Sequence, residues 1–163
     1  MSTIQLVWFR NDLRCRDQAA LVGAAAEGPV VALYCFCPGQ LRAHGVGGNR
    51  VGFLLRSLAA LDKELASLRI PLRILEPDTF AAVPAAVLAL ACELGAGKLW
   101  FNDEYPLNEA RRDQAVVRAF DAAGIPVRRS SDTVIRPPGS VLTQAGKPYS
   151  VLTPFRRRWL ADL

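Results

Sequence analysis

The feature that most constrains how this chain folds is the alternation of short apolar runs with longer helical patterns. Residues 4–9 (IQLVWF), 30–36 (VVALYCF), 72–75 (LRIL) and 98–102 (KLWFN) read as strands, and residues 127–130 (VRRS) as a weaker fifth. Runs this apolar belong to strands covered on both faces. After the first of them, Asp17 can cap a helix reaching about Ala26, its carboxylate accepting free N–H groups of the first turn. A second helix over residues 49–68 repeats Leu54, Leu55, Leu58, Leu61, Leu65 and Leu68, one stripe for packing on a sheet. A third should start near Thr79 or Phe80, tolerate Pro84 close to its start and stop near Gly95. A fourth should begin near Pro106 and end at Gly124, with Pro126 beyond. This order predicts an α/β fold: a three-layer, doubly wound, five-stranded parallel sheet with strand order 3-2-1-4-5. After Asp132 the pattern changes to RPPG and GKPY, turn and extended chain, before a short helical run over residues 154–163. The reading is an α/β domain at residues 1–131 and a connector at 132–163.

With 163 residues, 51% of them hydrophobic and 21% charged, the chain can bury the core of one domain. The longest candidate membrane stretch, residues 83–94, is shorter than the roughly 20 apolar residues that span a bilayer and contains Pro84 and Glu93. Charges at Arg10, Asp12, Arg14 and Arg16 interrupt any secretory signal core. No membrane partner is expected, and the location expected is cytoplasmic. Cys15, Cys35, Cys37 and Cys92 lie in or near apolar segments and read as buried, reduced thiols. One histidine and a lone C-x-C pair give no basis for a metal site. The net charge of +5 permits contact with nucleic acid, but Arg156-Arg157-Arg158 supplies much of the excess and no binding motif accompanies it.

In open doubly wound sheets, ligands bind beyond the carboxyl ends of the strands, where the strand order reverses. For the order 3-2-1-4-5 that crevice lies between strands one and four. The loops leaving these strands are residues 10–14 (RNDLR) and 103–109 (DEYPLNE), and the loop at 38–48 after strand two brings His44 to the same edge. Neither G-x-G-x-x-G nor G-x-x-x-x-G-K-[ST] follows strand one, which removes dinucleotide dehydrogenases and P-loop kinases. From the residues alone, Asp12 and Arg14 read as an ion pair or cap, His44 as a solvated loop histidine, and Asn108-Glu109 as partners of a helix dipole. Trp8, Trp100 and Trp159 read as packing groups rather than an electron relay. A free-standing nucleotide-binding module stays open at this level.

Residues 6–14 (LVWFRNDLR), His44, Asn49-Arg50 with Phe53-Leu54, residues 102–113 (NDEYPLNEARRD) and Thr153-Pro154-Phe155 fall where matching motifs fall in the DNA photolyase/cryptochrome family. The chain resembles the N-terminal antenna-chromophore domain of that family, of the folate-type class I branch acting on cyclobutane pyrimidine dimers, with the start of the interdomain linker. The resemblance implies a Rossmann-like domain that holds a light-harvesting group: methenyltetrahydrofolate or, alternatively, an 8-hydroxy-deazaflavin. In the folate branch a histidine after strand two and an Asn-Glu pair after strand four contact the pterin, and His44, Asn108 and Glu109 stand at those positions. A pterin offers amide-like donors and acceptors that a carboxylate and a carboxamide can match. Arg10, Asp12 and Arg14 are then structural, bracing the rim.

The resemblance also implies that FAD, the lesion pocket and most DNA contacts belong to a larger helical domain following the linker. No catalytic residue is therefore expected among these residues, and the fragment alone is expected to be inactive. The parent protein would use light to repair cyclobutane pyrimidine dimers in damaged DNA, with the FAD-binding domain as partner in cis. A cryptochrome blue-light photoreceptor is the alternative. The tail at 132–163 is expected to be mobile or packed in a substitute position.

Overall fold

The computed structural model describes residues 3–163. These form two compact units, divided between Thr133 and Val134. The first contains β1 (Ile4–Phe9), α1 (Ala19–Glu27), β2 (Val30–Cys35), α2 (Pro38–Ala43), α3 (Gly48–Ser67), β3 (Leu72–Leu75), α4 (Val83–Leu94), β4 (Ala96–Asn102), α5 (Leu107–Ala122) and β5 (Val127–Ser130). The strands form one parallel sheet in the order β3-β2-β1-β4-β5. The expected α/β class and strand order are those found.

β1 occupies the centre of the sheet, and Leu6, Val7, Trp8 and Phe9 are all buried. Successive strand side chains point to opposite faces. Leu6 and Trp8 therefore join Val87, Leu90 and Phe120 of α4 and α5, whereas Val7 and Phe9 join Leu21 and Ala24 of α1 with Leu61 and Leu65 of α3. An unbroken apolar run is what a strand with two such cores requires. The approach of α1 depends on Gly23, where a Cβ would lie 2.8 Å from the Trp100 ring. Trp100 is itself fixed, its Nε1 donating to Gln5 Oε1 at 2.9 Å. Both edge strands are short and carry arginines, Arg73 on β3 and Arg128 and Arg129 on β5, which discourages pairing with another chain.

Several local expectations are corrected. The loop after β2 contains a helical turn and a half, α2, which presents no buried residue and so has no apolar stripe to betray it. On α3 the buried stripe is Leu58, Leu61 and Leu65, while Leu55 and Leu68 are exposed. Leu55 follows Leu54 by one residue, a rotation of about 100° that carries it off the sheet-facing side. α1 is capped by Gln18 rather than Asp17, and α4 is preceded by a 3-10 turn at Phe80–Ala82. α4 stops where expected, at Gly95 with φ +60°, a conformation in which glycine carries no Cβ penalty. Of the four free cysteines only Cys37 is buried, and Cys92 is exposed.

The second unit, Val134–Leu163, contains α6 (Leu152–Ala161). A turn precedes it, closed by Thr143 N–H donating to the Lys147 carbonyl at 2.8 Å and Gly146 N–H donating to the Thr143 carbonyl at 2.9 Å. Tyr149 meets Phe155 edge to face at 6.1 Å, and Arg158 pairs with Asp162 one turn on at 3.1 Å. Trp159 lies half-buried on α6. Among the described residues no helix is long and apolar enough to cross a membrane.

Candidate functional site

The end of β1 is held by side chains rather than by a glycine turn. Asp12 Oδ1 accepts from Arg10 N–H at 3.1 Å, and its Oδ2 accepts from Gln18 Nε2 at 3.1 Å and Asn102 Nδ2 at 2.7 Å. One carboxylate thus ties the first loop to the end of β4 and the start of α1. The first three N–H groups of α1 have no partner within the helix. Ala19 N–H donates to Asp132 at 3.2 Å, Ala20 N–H to Asn102 Oδ1 at 3.2 Å, and Leu21 N–H to Gln18 Oε1 at 2.6 Å. Asp17, expected as the cap, instead has φ +48° and offers its carbonyl to Arg14 Nε at 2.9 Å. Arg14 pairs with Asp132 at 2.7 Å, not with Asp12.

Arg10 points to the other side. Its guanidinium lies 4.7 Å from the Trp8 ring and 4.6 Å from Phe101, and its Nη1 donates to Asp113 at 3.3 Å. Asp113 also accepts from Arg112 Nε at 3.0 Å and Nη2 at 2.8 Å, and Arg112 reaches Glu104 at 2.7 Å. Asn11 closes the chain by donating to Glu104. The side chains of Arg10, Arg112, Asp113 and Glu104 are 4%, 6%, 1% and 8% exposed, so this is a dry ionic network of two cations and two anions. Burial lowers the Arg10 guanidinium from its ordinary value against the pull of Asp113. Burial also acts to lower Arg112, but Asp113 and Glu104 outweigh it and hold this guanidinium above its usual range. Burial raises the Asp113 carboxyl, opposed by both arginines. Arg10 Nε and Nη2 have no hydrogen-bond partner among the described residues.

Above this network opens a cavity of about 850 Å³, within the range that holds a heterocyclic ligand. Trp8, Arg10, Tyr34 and Cys35 line it from the strand ends, Leu41 and His44 from α2 and its cap, Arg50, Phe53 and Leu54 from α3, and Asn108, Glu109 and Arg112 from α5. The three residues singled out in the sequence, His44, Asn108 and Glu109, line this one cavity from two separate elements. Of Arg10, Asp12 and Arg14, Arg10 alone lines it. His44 and Asn108 are exposed and Glu109 is half-buried in the first turn of α5. The wall is chemically quiet: burial pushes the Tyr34 hydroxyl and the Cys35 thiol up to about 12 and the Cys37 thiol to about 11, which keeps them protonated near neutrality. No group of three or more histidine, cysteine, aspartate or glutamate side chains suited to a metal ion occurs among the described residues.

Arg112, Asp113, Glu104, Gln18, Asn102 and Asp132 were not singled out by reading the sequence. Their partners are remote in the chain; Arg10 and Asp113 stand 103 residues apart. The available signal was the density of polar residues in 102–113 immediately after a buried strand.

A doubly wound sheet whose C-terminal strand ends, two helices and a histidine-bearing turn line one polar-rimmed cavity makes this an α/β domain with a candidate ligand site. Residues 5–163 match the DNA photolyase family, and the chain belongs to it. A deoxyribodipyrimidine photo-lyase of Vibrio cholerae is 39% identical over 158 residues, which cover 96% of this chain and 34% of that protein. Cryptochrome-1 of Arabidopsis thaliana is 33% identical over 156 residues, covering 96% of this chain and 22% of that protein. The crystal structure of a bacterial class III photolyase from Agrobacterium tumefaciens matches with a TM-score of 0.80 at 31% identity, over 96% of this chain and 31% of that one. The chain therefore spans about a third or less of the length of these relatives.

Proposed function

We propose that this chain is the antenna-binding part, with residues 132–163 as the start of the linker, of a cytoplasmic deoxyribodipyrimidine photo-lyase that repairs cyclobutane pyrimidine dimers in damaged DNA. The observation that carries this is the convergence of His44, Asn108 and Glu109 on one cavity of about 850 Å³. Bound there, methenyltetrahydrofolate supplies absorption of blue or near-UV light and transfer of that energy to an FAD held elsewhere in the full-length protein. The residues bind and orient. Glu109 accepts from amino and ring N–H groups, Asn108 both donates and accepts, and His44 adds a third polar contact from the end of α2. The protonated thiols and the buried ionic floor give a wall without a nucleophile, which suits a site that must leave its ligand unchanged.

The place of Arg10 on the cavity lining at the first-strand turn favours a second reading, a deeper-seated deazaflavin. Parallel reconstitution of the full-length protein with the two chromophores separates them. Folate binding sensitive to Glu109→Ala supports the first, and deazaflavin binding sensitive to Arg10→Lys but not to Glu109→Ala supports the second. The relation to a cryptochrome keeps the photoreceptor alternative in view, and illuminated repair of cyclobutane dimers by the full-length protein decides against it.

A further inference from the structure

We infer that Gln40 is a positioning residue for His44: it holds the neutral imidazole in the tautomer protonated at Nδ1, so that this wall of the cavity offers a donor. What the donor meets rests on the chromophore reading above; the positioning does not. Gln40 lies on α2 one turn before His44, and both line the cavity. The two ends of its amide have different partners. Oε1 accepts from the Phe80 backbone N–H at 3.5 Å, and because a backbone N–H can only donate, this contact assigns the oxygen. The other end, Nε2, lies 2.7 Å from His44 Nε2. An amide NH2 can only donate, so His44 Nε2 is the bare, accepting nitrogen and the ring proton is on Nδ1. Nδ1 is left as the free polar atom of the ring among the described residues.

The backbone beneath Gln40 is pinned, so the arrangement is more than a chance meeting of two surface side chains. Gln40 N–H donates to the Asp78 carbonyl at 3.0 Å, and Arg42 Nη2 donates to Asp78 Oδ1 at 3.2 Å. At Gly39 a Cβ would lie 2.4 Å from the same carboxylate, so α2 sits directly against Asp78. A donor at His44 also complements Glu109 on the same cavity. The Glu109 carboxylate can only accept, whereas a pterin edge displays carbonyl and ring-nitrogen acceptors as well as donors.

The chain has a single histidine, so a long-range ¹⁵N–¹H spectrum of the 163-residue protein reports its ring nitrogens without overlap and without a ligand. Under alkaline conditions, where imidazole is neutral, the wild-type chain should show a protonated Nδ1 and a bare Nε2. Gln40→Glu puts an acceptor in place of the donor and should reverse the tautomer. Gln40→Leu should release it to the mixture of an unconstrained histidine. A wild-type ring protonated at Nε2, or a tautomer unmoved in both variants, overturns the proposal. Titration of full-length proteins carrying the same two substitutions, beside the wild type, with methenyltetrahydrofolate should show about fivefold weaker binding for Gln40→Leu, the size of one neutral hydrogen bond. Equal folate affinity in all three overturns the role of the donor at the rim. A full-length wild-type protein that binds no folate, while the chain shows the Nδ1–H signal, contradicts the chromophore reading and upholds the positioning.

Discussion

The floor and the rim of the cavity are built from the same kinds of side chain and behave as different materials. On the floor, Arg10, Arg112, Asp113 and Glu104 are dry and bonded to one another. At the rim, His44 and Asn108 are exposed, and among the described residues the His44 side chain makes one hydrogen bond, to Gln40. Charge buried in pairs cannot be altered singly without leaving its partner stranded in a poor solvent for ions. Exposed polar groups keep their water until a ligand replaces it. The floor therefore fixes the shape of the sheet end, and the rim is free to determine what binds.

The largest effect that tests this division is on the floor. Asp113→Ala leaves two buried guanidinium groups with one carboxylate and should cost about 3–5 kcal/mol, read from urea unfolding. Adding Arg10→Met to that variant should restore part of the loss, because the orphaned cation goes with its partner. An Asp113→Ala chain as stable as the wild type would dissolve the distinction. Next in size, Gln18→Ala removes the cap of α1 and a partner of Asp12, and should cost about 0.5–2 kcal/mol without changing folate affinity. At the rim the ordering reverses. Asn108→Ala should stay within about 0.5 kcal/mol of wild-type stability, as exposed sites do, yet weaken folate binding about tenfold, as expected for 1–2 kcal/mol of lost contact. Smallest in energy is a contrast among the thiols. Cys92, exposed, should be alkylated first, whereas in the native chain Cys37 should resist until the pH nears about 11 and Cys35 until about 12, because burial holds both protonated. Mass spectrometry of the alkylated chain checks the order.

The fold was largely legible because its strands advertise themselves. Four apolar runs and a weaker fifth, separated by helical patterns, leave few topologies, and in the central strand, buried on both faces, Gln5 is the one polar residue. What escaped lies where local sequence and tertiary context disagree. Pro38-Gly39 looks like a turn, yet it opens a short helix held by Asp78 rather than by an apolar face. Asp17 has the composition of a cap, but Gln18 takes that position with Asp12 and Leu21 as partners. Leu55 and Leu68 belong to the leucine repeat by spacing and to the solvent by angle. The rim residues could be named from family resemblance, since each lies in a recognisable loop. The floor could not be paired in advance, because its partners come together only when β1 and α5 are adjacent.

If the rim holds the antenna chromophore independently of the floor, removing rim contacts weakens binding without loosening the fold. The most direct measurement is a methenyltetrahydrofolate titration, by absorbance and fluorescence, of the full-length protein and of its Asn108→Ala/Glu109→Ala double variant, after both give the same unfolding midpoint. Saturable binding in the first, weakened about a hundredfold in the second, is the expected result, the sum of two lost contacts of about 1.4 kcal/mol each. The same affinity in both proteins would contradict it.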